Sequence, residues 1–249
     1  SCGSVPLTGR KQVLLVSDQE VLSSSLTQYS DYMKSAKKSS SKDGAAMVTR
    51  VGKKIAAATE QYLRNNGLES EIKNFAWEFN LVNDPQVNAF CMPGGKIVVY
   101  EGLMQLVSSD DELAVVVGHE VAHAVAKHSN ERMSQQLMAQ YGAQILGQAL
   151  SNKSAAVQKI GASVYGLGAQ YGVMLPFSRK HESEADYMGL VFMAMAGYNP
   201  AVAVNFWQKM SAGKSGSTPE FMSTHPSDAT RINEIKQHLP EIEKYRVKK

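Results

Sequence analysis

His119-Glu120-Val121-Ala122-His123 is the stretch of this chain best equipped to do chemistry. Residues i and i+4 of an α-helix share a face, so His119 and His123 can grip one ion together. The surrounding run Leu113–Lys127, LAVVVGHEVAHAVAK, is apolar almost all round, and such a helix is normally buried. Burying two imidazoles and a carboxylate without partners is costly, and a metal ion supplies a partner. Two histidines with a glutamate between them at this spacing on a helix form the zinc-peptidase arrangement, with Glu120 as general base.

Two histidines leave zinc short of a third protein ligand and a water. The later part of the chain offers His181, Glu182, Glu184, Asp186 and His225. Glu182 and Asp186 are again i and i+4, a pairing that suits one ligating carboxylate backed by another, and Asp186 is a candidate to take the outer N–H of a ligating histidine. His181 lies about 100° round the helix from Glu182 and reads as a surface histidine. Glu184 reads as solvated, and His128 and His238, without a motif, read as surface groups. The methionines from Met174 to Met210 read as core filler.

The order of these motifs carries a resemblance. HEVAH is followed some sixty residues later by Glu182-Ser183-Glu184-Ala185-Asp186, then by His225-Pro226 with Arg231. Ahead of the zinc helix stand Asn88-Ala89-Phe90 and Pro93-Gly94-Gly95. Over roughly residues 8–240 the chain resembles metallopeptidase family 48, the gluzincin family of HtpX and the CAAX prenyl proteases, and within it the small periplasmic lipoprotein members. The resemblance implies a zincin-like fold, one Zn2+ per chain held by His119, His123 and Glu182, and Glu120 as general base. It implies that Asp186 orients a ligand and that Arg231 ties the last helix to the site. His225 would face the metal, as an oxyanion stabiliser or as an extra ligand in a closed state. An extended substrate would add to the sheet edge at Asn88, Ala89 and Phe90. Cys91 departs from the small residue common in the family and would make the site sensitive to oxidation.

Several elements must position these groups. Ser17 with Glu20 is a capping box that opens a helix to about residue 36. Val48, Val51, Ile55, Ala58 and Tyr62 recur at helical spacing in a second helix, about 45–66, closed by Gly67. The period then changes to two: residues 75–82, FAWEFNLV, alternate as a strand, and NAFCM and KIVVY supply two more around the Pro93-Gly94-Gly95 turn. Ser109 with Glu112 caps the HEVAH helix. A further helix spans about 178–196, Asn199-Pro200 starts the next, and a last one covers about 228–238. The expected fold is therefore α+β: mainly helical, with a small, mostly antiparallel sheet beside the HEVAH helix. Residues 1–16 read as a leader or anchor segment and 17–249 as one peptidase domain, with 130–178 as a helical lid or plug over the cleft.

Composition bounds the rest. A net charge of +3 over 249 residues, with no basic cluster interleaved with aromatics, argues against nucleic acid. Cys2 and Cys91 do not make a disulfide framework. Cys2 has three readings: an exposed thiol, a disulfide partner of Cys91, or a lipidated residue, the last being favoured. No apolar run reaches 18 residues, which argues against an intramembrane protease. The expected protein is a zinc metalloendopeptidase of the bacterial cell envelope that cuts misfolded or unfolded proteins. It would be periplasmic and held on the outer membrane by an N-terminal lipid. The alternative is a chaperone or assembly factor for outer-membrane proteins on the same fold.

Overall fold

The computed structural model describes residues 2–142, 155–157, 159–160, 177–212, 219–227 and 229–247. Most of the expected lid, 130–178, lies outside the described residues. The chain opens with an antiparallel hairpin of β1 (Cys2–Ser4) and β2 (Lys11–Val13). Leu7 and Gly9, with φ of 68° and 67°, turn the chain between them. Helix α1 (Asp18–Ser35) starts where the capping box places it, Ser17 accepting from the Glu20 N–H. Helix α2 (Lys42–Asn65) begins earlier than its apolar period, because Ser41 caps it by accepting from the Gly44 N–H. Gly67, at φ 71°, ends it.

Strand β3 (Glu78–Val82) is shorter than the alternation from Phe75 implies. Phe75 and Trp77 instead stack face to face, 4.7 Å between centroids, and the Trp77 indole N–H donates to Glu60 on α2. With β4 (Ala89–Met92) and β5 (Lys96–Tyr100) it makes a sheet of order β3-β5-β4. The β3–β5 pair is parallel and the β4–β5 pair antiparallel. Side chains alternate across a pleated sheet, so Ala89, Ile97 and Val99 enter one apolar cluster while Phe90, Val98 and Tyr100 enter the other. The first cluster joins the sheet to α2 and to the helices of the site; the second joins it to α1.

A single helical turn, α3 (Glu101–Met104), leads to α4 (Asp110–Val125), which carries the HEVAH motif. Ser109 accepts from the Glu112 N–H, and the Glu112 carboxylate accepts from the Ser108 N–H. Lys127 then adopts φ 58°, an unusual conformation for a residue with a Cβ. Its ammonium pairs with Asp18 and Glu71. This reversal turns α5 (His128–Tyr141) back beside α4. Helices α6 (Arg179–Met195), α7 (Ala203–Ala212), α8 (Glu220–Thr224) and α9 (Ala229–Ile242) complete the described chain.

Among the described residues α4 and α6 make the most extensive helix–helix contact, and glycine sets the approach. A Cβ on Gly118 would lie 2.7 Å from the Gly189 carbonyl oxygen, and one on Gly189 would lie 2.7 Å from the His119 nitrogen. No side chain fits there, so the backbones touch, and the ligand-bearing turns of α4 and α6 come within reach of each other.

Candidate metal centre

His119 and His123 present their Nε2 atoms 3.1 Å apart from adjacent turns of α4. Glu182, in the first turn of α6, brings Oε2 to 2.8 Å from the first and 2.9 Å from the second. All three side chains are buried. Three atoms that all carry lone pairs do not converge like this without a cation between them. Burial disfavours a charged His119, but the charge of Glu182 and the contact of Asp186 outweigh it and lift its pKa to about 10. For His123 burial wins, against the pull of Glu182, and keeps the ring neutral with a lone pair to give. Glu182 is buried too, yet the histidines around it, His225 and His119 first, hold its pKa well below the usual carboxylate range. A tetrahedral zinc with bonds of about 2.0–2.1 Å has donor–donor edges of about 3.3 Å, so this donor set fits zinc after a small expansion. Glu182 Oε1 has no hydrogen-bond partner, which leaves a buried lone pair for the same ion or its water.

His225, just past α8, brings a fourth donor: one ligand atom from each of His119, His123, Glu182 and His225 lies within 4.8 Å of the others. Its ring stacks on Phe221 at 4.0 Å, and Phe221 stacks in turn on Trp207. His225 Nε2 stands 2.8 Å from Glu120 Oε1, although neither atom is aligned for a hydrogen bond. Glu120 and His225 are 3% and 2% exposed, so the centre is closed to solvent in this conformation.

Behind His119, Nδ1 faces Asp186 Oδ1 at 3.1 Å, an ion-pair distance without the alignment of a hydrogen bond. Arg231 of α9 grips Asp186 with two hydrogen bonds of 2.8 Å and donates to the Pro226 carbonyl. It thereby ties the His225-Pro226 loop to the carboxylate of α6.

Spacing and the lack of a motif assign the groups behind His123 to the surface, and the structure corrects this. His128, His181 and Glu184 are 0%, 3% and 7% exposed. His123 Nδ1 meets His128 Nδ1 at 2.7 Å, and His128 Nε2 meets Glu184 at 2.7 Å. Glu184 accepts from Thr8 and Arg10, and Arg10 also bonds Glu131. Glu131 lies 3.3 Å from His181. Helix α6 is thus covered on the face that helical spacing assigns to solvent, because the β1–β2 hairpin folds over it. The turn at Lys127 returns His128 to the ring five residues before it. Burial raises the pKa of Glu131 and Glu184, but hydrogen bonds from His181 and Arg10 to the first, and from His128 and Arg10 to the second, bring both down to about 2.

The remaining candidates sit as follows. Asn88, Ala89 and Phe90 are buried at the start of the edge strand β4, and Phe90 packs its ring edge against Tyr32. Next to them Cys91 feels both burial and the charge of Glu120, in that order, which push its thiol pKa up. Cys2 is exposed on β1, and both cysteines are free, which excludes the Cys2–Cys91 disulfide. His238 packs beside Tyr187. Phe177, which no motif singled out, stacks on His123 at 3.9 Å beneath Arg132. Among the described residues no helix is long and apolar enough to cross a membrane.

Comparison with known proteins bears on this geometry. Residues 49–239 match the family described as Peptidase family M48. The chain is 36% identical over 205 residues, 79% of its length, to the mitochondrial metalloendopeptidase OMA1 of Schizosaccharomyces pombe. It is 40% identical over 168 residues, 68% of its length, to that of Arabidopsis thaliana. It is 33% identical over 174 residues, 65% of its length, to the beta-barrel assembly-enhancing protease of Yersinia pestis. These alignments cover 53%, 33% and 36% of the three relatives, so the chain spans about half or less of their length. Relatives named as mitochondrial in fungi, a plant and animals overturn the expectation of a periplasmic lipoprotein anchored to the outer membrane. The compartment in those names is the mitochondrion.

Proposed function

This chain belongs to peptidase family M48, and we propose that it is a zinc-dependent endopeptidase acting on unfolded or misfolded proteins. The observation that carries this reading is the convergence of His119 Nε2, His123 Nε2 and Glu182 Oε2 within 3.1 Å of one another. In this reading those three residues hold one zinc ion. When bound, zinc supplies Lewis acidity, acidifying a water and polarising the scissile carbonyl.

The side chains do the rest. Glu120, next to His119 on α4, takes the proton of the attacking water and returns it to the leaving amine. Asp186, held by Arg231, keeps the His119 ring turned so that Nε2 faces the ion. His225, beside Glu120 and within the ligand set, either closes the site as an extra ligand or donates to the developing oxyanion. Phe177 and Phe221, stacked on His123 and His225, exclude water from the reacting groups. An extended substrate adds to β4 at Asn88, Ala89 and Phe90 through main-chain hydrogen bonds, which select weakly for sequence and suit unfolded chains.

Degradation of β-casein tests the reading, using wild type, Glu120→Gln, and protein stripped of metal and then reloaded with zinc. Glu120→Gln and stripped protein are expected to lose cleavage, and zinc to restore it to the stripped sample. Equal cleavage in all samples would sink the proposal. A second reading, an assembly factor for other proteins, is favoured by the likeness to a protein named for enhancing β-barrel assembly. It predicts that Glu120→Gln still suppresses aggregation of an unfolded β-barrel protein.

A further inference from the structure

The hydrogen bonds behind His123 admit one consistent assignment of protons. If Nε2 of His123 offers its lone pair to a metal, its Nδ1 carries the hydrogen. That hydrogen donates to His128 Nδ1 at 2.7 Å. His128 is then an acceptor at Nδ1 and a donor at Nε2, which donates to Glu184 Oε1 at 2.7 Å. Glu184 is an acceptor only, and its remaining lone pairs receive the Thr8 hydroxyl at 2.7 Å and the Arg10 guanidinium at 2.9–3.2 Å. Arg10 spends its other N–H groups on Glu131, at 2.5 and 3.1 Å, and Gln12 joins them by donating to Glu131 and to the Ala126 carbonyl at the end of α4. Every donor in the chain from His123 to Arg10 meets an acceptor, and reversing His123 to its other tautomer would break the sequence at its first link.

Thr8, Arg10 and Gln12 belong to the β1–β2 hairpin, ahead of residues 49–239 that match the peptidase family. We propose that this hairpin is a positioning element of the metal centre: Thr8 and Arg10, through Glu184 and His128, fix the tautomer and orientation of His123. An imidazole here does the work that a carboxylate does behind His119, and the charge that a carboxylate would bring is set one residue further back, at Glu184. The inference rests on His119, His123 and Glu182 being the metal ligands.

His128, Glu131 and His181 also offer ligand atoms within 4.8 Å of one another, the spacing of a second metal site. The Arg10 guanidinium already lies on Glu131 and supplies the cation there, so one zinc per chain is expected.

The test uses the full chain, metal-stripped and titrated with zinc against a chromogenic chelator, with the Co2+ absorption spectrum as a second readout. Wild type, Arg10→Ala, His128→Phe and His128→Asn are compared. Loss of such an outer partner typically costs about 10- to 100-fold in metal affinity, and that is the fall expected for His128→Phe. Arg10→Ala is expected to fall in the same direction by less and to shift the Co2+ bands. His128→Asn, whose side-chain oxygen can replace Nδ1 as acceptor, is expected to recover most of the affinity. Arg10 is partly exposed, so its variant decides the matter if His128→Phe fails to fold. Zinc affinity and Co2+ bands of Arg10→Ala unchanged from wild type, even with a lower melting temperature, would mean a merely structural hairpin and overturn the proposal. A second zinc lost on His181→Ala would overturn it as well. Wild type that binds no zinc at all would instead remove the ligand assignment beneath it.

Discussion

His119 and His123 sit one turn apart on α4 and the carboxylates behind both belong to α6, yet the arginines that hold those carboxylates come from opposite ends of the chain. His119 is backed directly by a carboxylate, Asp186, which Arg231 holds from α9 with 2% of its own side chain exposed. His123 is backed by an imidazole, His128, and only then by a carboxylate and an arginine, and that arginine, Arg10, is 17% exposed. The first route is short and dry. The second is longer, wetter and reaches an N-terminal hairpin. The difference implies unequal consequences when each is cut: the Arg231 side governs whether the centre folds, and the Arg10 side governs how well it grips.

The largest effect is expected at Arg231. Arg231→Met leaves the buried Asp186 without its guanidinium partner, and breaking a buried pair in this way costs about 3–5 kcal/mol. Urea unfolding of the zinc-loaded and stripped protein measures it, and a cost equal to that of Arg10→Ala would erase the asymmetry. Next comes the contact that sets the distance between the two helices. Gly189→Ala places a Cβ 2.7 Å from the His119 nitrogen, and such overpacking costs about 1–3 kcal/mol. Because it pushes Glu182 away from the histidines, zinc affinity is expected to fall along with stability. An unaltered affinity would show that the α4–α6 approach does not set the ligand geometry.

The smallest stability effect is expected at Arg10. For a partly exposed guanidinium, Arg10→Ala should cost on the order of 1 kcal/mol. Its signature is in the pH dependence. Glu131 and Glu184 are held at about 2 in the fold against an ordinary 4.5. A carboxylate depressed in this way contributes stability that is complete above 4.5 and is lost as pH falls from 4.5 toward about 2. Removing Arg10 raises both folded values and shallows that acid limb. Melting curves of stripped wild type and Arg10→Ala across the window measure it, and superimposable acid limbs would contradict the clamp.

The same contrast explains what was legible in the sequence. The His119 route consists of spacings within helices, i and i+4 twice, and a helix apolar all round announces its own burial. The α+β architecture and the small sheet followed from period changes and caps. The His123 route depends on contacts between Arg10 and Glu184, 174 residues apart, and on Lys127 taking a backbone conformation that its residue type disfavours. Helical spacing put Glu184 and His181 on the outer face of α6, and nothing local signals that a hairpin covers that face. Gly118 and Gly189 left a faint mark, glycines inside helical patterns, which cost stability unless another backbone approaches. Phe75 and Trp77 kept a strand's alternation while stacking on each other instead.

The most direct test of the metal centre itself is the zinc content of purified chain after exhaustive dialysis, for wild type beside His119→Ala, His123→Ala and Glu182→Gln. One zinc per wild-type chain, with loss in each variant, is the predicted result. Zinc retained at one per chain in the variants, or absent from the wild type after zinc has been supplied, would contradict it.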